Sequence, residues 1–145
     1  MTQDMLNDAN YSSGVAAFEE KNFAQAMQFL YPLAEAGNPD AQHRVAIMCQ
    51  NGLGVVRNEA RAFQMMKAAA EQDYPIAQHG IGFMYLEGDC VEQDSAEAAK
   101  WFRKAADHGL AGSLTTLALM YEQGNGVEKD PEEARRLYAE AGFEF

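Results

Sequence analysis

The stretch Ala77-Gln78-His79-Gly80-Ile81-Gly82-Phe83-Met84-Tyr85-Leu86-Glu87-Gly88 decides the fold, because it does not stand alone. Its first three residues repeat Ala41-Gln42-His43, 36 residues earlier. At the same offset Met48, Met84 and Met120 coincide, as do Gly52, Gly88 and Gly124. Val55, Val91 and Val127 follow, then Ala62, Ala98 and Ala134, then Ala69, Ala105 and Ala141. A period of this length marks stacked supersecondary units, each too small to bury its own apolar face.

Within one unit Ile81, Met84 and Tyr85 have helical spacing, so residues 77–87 read as a helix. Gly88 ends it, being tolerant of positive φ. The loop Asp89-Cys90-Val91-Glu92-Gln93 holds one apolar residue, Val91, placed as a plug beneath the loop. Asp94 opens a second helix and Glu97 follows three residues later, an acidic form of the capping box. In the next unit Asp130, Pro131 and Glu133 repeat the signal, and Asn58 takes the capping place in the unit before. The second helix runs through Trp101, Phe102, Ala105 and Ala106 and stops near Gly109; Gly37, Gly142 and Asp73 mark equivalent stops. The first unit differs. If Gly14 aligns with Gly82 and Ala26 with Ala98, its inter-helix loop is shorter by four residues.

At 145 residues the chain suits one domain with a core, and a 48% hydrophobic content argues against wholesale disorder. Four prolines and the lack of alternating β-branched runs point to an all-α class. Twenty-two acidic side chains against 11 basic ones give a net charge of −11, which repels nucleic acid. That charge serves solubility or attracts a basic partner. No apolar stretch reaches the length of a membrane span. The N-terminus, Met1 to Asp8, has neither a basic start nor an apolar core, so a cytoplasmic location is expected, and a periplasmic one only if a leader had been removed. Cys49 and Cys90 form no CxxC pair and are expected as thiols in a reducing compartment.

The pattern Gly82-x-x-Tyr85-x-x-Gly88-x-x-Val91-x-x-Asp94-x-x-x-Ala98-x-x-Trp101-x-x-x-Ala105-Ala106-x-x-Gly109 resembles the Sel1-like repeat family, a close relative of tetratricopeptide repeats. The resemblance covers about residues 10–142. Cys49 departs from the usual Tyr, Met65 and Leu137 replace the Trp, and Thr116 and Ala118 loosen the start of the fourth unit. The expected organisation is a single domain over 1–145. An N-terminal segment (1–9) precedes a shortened tetratricopeptide-like unit (10–38), followed by Sel1-like units at 39–74, 75–110 and 111–145. The resemblance implies a right-handed α/α superhelical solenoid of eight helices, the first helix of each pair lining the concave side. It also implies an adaptor or scaffold role in a bacterial cell, and it names no ligand.

Carried over from the tetratricopeptide convention, the ligand-facing positions form three ladders along the first helices. They are Tyr11, His43, His79 and Thr115; Val15, Ile47, Phe83 and Leu119; and Phe18, Gln50, Leu86 and Glu122. Such a groove suits a peptide or helix of a partner protein, while the second ladder reads equally well as packed core. His43 and His79 read as groove residues that charge at mildly acid pH, since zinc wants three or four ligands. His108, in the last turn of its helix, is expected to meet the helix dipole. No cofactor and no metal are expected.

Enzyme readings do poorly. HExxH, GxSxG and GxxxxGK[ST] are missing, and no catalytic pair can be argued from the carboxylates. Some cysteine-rich Sel1-like proteins have been discussed as penicillin-binding or β-lactamase proteins, yet Ser12, Ser13, Ser95 and Ser113 all lack a lysine three residues on. The expectation is therefore a non-enzymatic interaction module. The alternative is an acidic chaperone- or immunity-like regulator that masks a basic protein. After Gly142 only Phe143, Glu144 and Phe145 remain to cover the last helix; failing that, the open end supports a weak homodimer instead of a monomer.

Overall fold

The computed structural model describes residues 2–143. Among these are eight helices: α1 (Gln3–Glu19), α2 (Phe23–Glu35), α3 (Pro39–Asn51), α4 (Glu59–Glu71), α5 (Pro75–Glu87), α6 (Ser95–Asp107), α7 (Ala111–Gln123) and α8 (Pro131–Glu140). They divide into two compact units at Gln72/Asp73. In the first, α1 packs on α2, α2 on α3 and α3 on α4; in the second the same order joins α5 through α8. The all-α class and the sequential helix pairs are as the period implies.

Local chemistry sets where each helix starts and stops. α3, α5 and α7 end at Gly52, Gly88 and Gly124, whose φ values of 66°, 69° and 68° are left-handed. An ordinary side chain resists that conformation. The second helix of each pair opens on an amide or carboxylate cap. Asn58, Asp94 and Asp130 accept from the backbone N–H of Arg61, Glu97 and Glu133 at 3.0, 3.1 and 3.1 Å. Each such cap contributes about 1 kcal/mol. The second helices stop at Gly37, Asp73, Gly109 and Gly142, all at positive φ, with Asp73 at 61°. Only three residues, 20–22, join α1 to α2, whereas seven (52–58, 88–94 and 124–130) join each later pair. The shortened hairpin is therefore present.

The longer loops do more than connect. Val55, Val91 and Val127 are half-buried beneath them, and Val127 packs on the buried cluster of its unit. Gly54 and Gly126 press onto the start of the preceding second helix. A β-carbon there would land on the backbone of Phe23 and of Ser95, respectively. Cys90 stands at the matching place in the remaining loop and holds the same left-handed conformation, φ 66°.

Inside each pair a small residue of the first helix admits a large one of the second. A β-carbon on Gly14 would come within 2.5 Å of Leu30 Cδ2, and one on Gly82 within 2.8 Å of Phe102 Cε1. Leu30 and Phe102 are fully buried, as are Ala46 and Ala118 at the small-residue place of α3 and α7. His108 stands at the C-terminal end of α6 and also has a partner outside it. Its Nε2 lies 2.9 Å from Asp73 Oδ1, which also accepts from Gln78 Nε2 at 3.2 Å. Those bonds hold the Asp73 carboxyl below its ordinary range, the His108 contact first. Phe143 meets the Tyr138 ring edge-on at 5.5 Å but stays 53% exposed. Phe145, expected to share that role, lies outside the described residues.

Gly109 and Gly126 have similar φ, 81° and 75°, but only Gly126 has neighbours where a β-carbon would go. Gly109→Ala should lower the unfolding free energy by about 1 kcal/mol, the cost of the backbone conformation. Gly126→Ala should cost about 1–3 kcal/mol more, from overpacking against Ser95. Urea denaturation of the two variants measures both. Equal losses would show that the loop does not depend on close approach.

Candidate functional site

The positions nominated from the sequence lie on first helices. In the first unit Tyr11, Val15 and Phe18 come from α1, and His43, Ile47 and Gln50 from α3; all six are half-buried. Two of them are held by residues that the repeat pattern does not single out. Tyr11 Oη donates to Asp40 Oδ2 at 2.7 Å, and Arg44 Nε donates to the same oxygen at 2.9 Å. The Arg44 guanidinium lies 4.9 Å over the centroid of the Phe18 ring, which meets Phe23 edge-on at 5.6 Å. Phenol, carboxylate, guanidinium and phenyl thus form one connected strip across α1 and α3. The bond to Asp40, then burial, raises the Tyr11 pKa, so the phenol remains a donor at neutral pH. The sequence signal for this strip is the i,i+4 spacing of Asp40 and Arg44 on one helix face.

In the second unit His79, Phe83 and Leu86 come from α5, and Thr115, Leu119 and Glu122 from α7. The first four are half-buried, while Leu119 is 44% exposed and Glu122 is exposed. His79 Nδ1 lies 2.7 Å from Ser113 Oγ. Its ring meets Phe83 at 4.9 Å and Phe102 at 5.5 Å, and Phe83 meets Phe102 at 5.0 Å, all edge-on. Phe83 therefore packs on the core while keeping part of its surface open. Ser113 is fully buried, so its hydroxyl is a partner for the imidazole without access to a substrate. Thr115 Oγ1 donates back to the Ala111 carbonyl at 2.9 Å, and Glu122 Oε2 accepts from Tyr138 Oη at 3.1 Å.

Burial lowers the pKa of His79, and burial lowers that of His43 against the opposing field of Asp40. Both imidazoles are neutral at neutral pH and charge only at more acid pH than the sequence suggests. Cys49 is buried, which pushes its thiol up; Cys90 is half-buried, and no disulfide joins the two. Among the described residues no group of three or more His, Cys, Asp or Glu side chains is arranged to hold a metal ion. No described helix is long and apolar enough to cross a membrane.

Four segments, residues 8–38, 39–74, 75–110 and 113–142, match the Sel1 repeat. The chain belongs to the Sel1 repeat family. Solved Sel1-type structures agree. A protective antigen present in uropathogenic Escherichia coli strains, displaying an SLR fold, is 30% identical with a TM-score of 0.89 over 96% of this chain and 31% of its own. A Sel1 repeat protein from Oxalobacter formigenes is 32% identical with a TM-score of 0.86, over 90% of this chain and 54% of its own. This Sel1 chain thus spans about a third and about half of those two structures. Cysteine rich protein B of Helicobacter pylori, 21% identical with a TM-score of 0.64 over 83% of this chain and 88% of its own, shares the fold. Among curated proteins none matches.

The lowered imidazole pKa values make stability fall on acidification. Below the ordinary value of 6.5 the unfolded Sel1 chain binds protons that half-buried His43 and His79 refuse. Stability is therefore complete above about pH 6.5 and is lost as pH falls through the lowered folded values. Thermal denaturation between pH 7.5 and 5 should show Tm dropping, and His43→Gln/His79→Gln should flatten the slope. An unchanged slope in the double variant would remove both histidines as its cause.

Proposed function

We propose that this chain is a non-enzymatic protein-interaction module, an adaptor that takes a peptide or protein segment on its first-helix faces. One observation carries the reading. None of the twelve nominated positions is buried, whereas Ala46, Met48, Ile81, Met84, Leu117 and Met120 on the same helices are. Each first helix thus turns one stripe into the core and leaves another, rich in aromatic and aliphatic groups, partly open. Repeat solenoids generally use such stripes to hold segments of other proteins.

The net charge of −11 favours a second reading, a regulator whose acidic surface masks a basic protein. The two differ in where the partner touches. A photo-crosslinking residue at Val15 or Leu119 should capture the partner in the source cell, and one at exposed Lys67 or Lys100 on the second helices should not. Leu119→Asp should weaken capture about tenfold with helicity unchanged, since one apolar anchor is worth about 1–3 kcal/mol. Leu119 is the better choice because His79 and Phe83 both touch Phe102, so their removal would loosen the core. Crosslinks spread over both kinds of helix, lost in about 0.5 M salt, would sink the first-helix reading and favour charge masking.

A further inference from the structure

The two units each hold a cavity at the same place in the repeat and furnish it differently. In the second unit it lies beside Tyr121, whose hydroxyl accepts from Arg103 at 3.2 Å. Arg103 also donates to Glu133 Oε1 at 3.0 Å, and its guanidinium lies 5.7 Å from the Tyr121 ring centroid. Phenol, guanidinium and carboxylate satisfy one another. Two repeat periods earlier, the places of Tyr121, Arg103 and Glu133 are held by Cys49, Tyr31 and Arg61. The phenol at the α3 position has become a thiol with no accessible surface. The guanidinium stands on α4, 5.0 Å over the Tyr31 ring, and among the described residues no carboxylate forms an ion pair with it.

The result in the first unit is a cavity of ≈ 320 Å³, walled by Met27, Tyr31, Pro32 and Val55, with Cys49 beneath and Arg61 at the rim. Small-molecule sites run from about 300 to 1,000 Å³ and combine apolar walls with a few placed polar groups. We propose that this cavity binds a small monocyclic aromatic carboxylate, its ring against Tyr31 above Cys49 and its carboxylate on Arg61. The ring takes the apolar space between Met27, Tyr31 and Val55. The carboxylate gives Arg61 what Glu133 gives Arg103, in the bidentate geometry a guanidinium favours. With a chain charge of −11 the surroundings oppose an approaching anion, so selection must come from direct contact with Arg61 and not from long-range attraction. The cavity is separate from the first-helix faces, and its occupancy does not depend on the adaptor reading.

Phenylacetate is a suitable probe, followed through the Met27 and Val55 methyl resonances of the whole chain. Those signals should shift saturably. Phenylacetamide, without the charge, and acetate, without the ring, should each bind about tenfold more weakly or worse. Arg61→Gln, at an exposed position, should reduce phenylacetate binding to the level of phenylacetamide. Cys49→Tyr, which restores the residue found at positions 85 and 121, should leave no binding; if that variant fails to fold, Arg61→Gln and the ligand series decide. Undiminished binding to Arg61→Gln, or shifts that never saturate, would overturn the site. A short peptide ending in phenylalanine that bound about tenfold more tightly than phenylacetate would overturn the assignment to a free acid and place the ring on a partner chain.

Discussion

The missing β-carbon at Gly82 is the constraint on which the second unit turns. It lets Phe102 of α6 sit against the middle of α5, fully buried, where a methyl group would come within 2.8 Å of the ring. His79 and Phe83 then meet that ring from either side of Gly82, one turn apart on their helix. The open stripe on α5 is thus shaped by a wedge driven from behind it. In the first unit Gly14 and Leu30 make the same joint with an aliphatic wedge, and there the neighbouring positions Tyr11 and Phe18 are organised instead by Asp40 and Arg44. One joint, filled with two different side chains, accompanies two different surfaces.

Helix ends and loop lengths were legible in the sequence because they are local. Gly88, Asp94, Asp130 and Asp73 act through their own backbone or through an N–H three residues on, so the period alone exposes them. The shortened α1–α2 connection could be read from the same alignment. Pairings between helices could not. The bond from His79 to Ser113 and the contact of His108 with Asp73 join residues 34 and 35 apart in the chain. Their formation depends on crossing angles and rotamers that a repeat length does not specify. Cys49 was visible as a departure from the usual tyrosine, but what the change does depends on Tyr31 and Arg61, which the pattern leaves unmarked.

Charge is arranged unequally. In the second unit Glu133 takes guanidinium groups from Arg136 and Arg103, which together hold its carboxyl at about 2 against the opposing effect of burial. Arg136 also reaches Glu140 at 2.6 Å. Such a network on the outer helices is salt-sensitive and adds little per pair at the surface. Its effect is to leave Arg103 and Arg136 already engaged. In the first unit Arg44 is spent on Asp40 and Arg57 on Glu59, while Arg61 lies on an aromatic face.

The seating of Gly54 on Phe23 and of Gly126 on Ser95 bears on how such a chain can lengthen or shorten over time. The loops 52–58 and 124–130 are each gauged against a helix start that lies about 30 residues behind in the same unit. A deletion or insertion of a few residues anywhere in that interval would unseat the contact, and a bulkier residue at the glycine would do the same. Removing or duplicating one whole period leaves a glycine-seated loop facing an equivalent helix start. Heritable length change in this architecture is therefore expected to come in steps of one repeat, with small gaps confined to places that no loop measures.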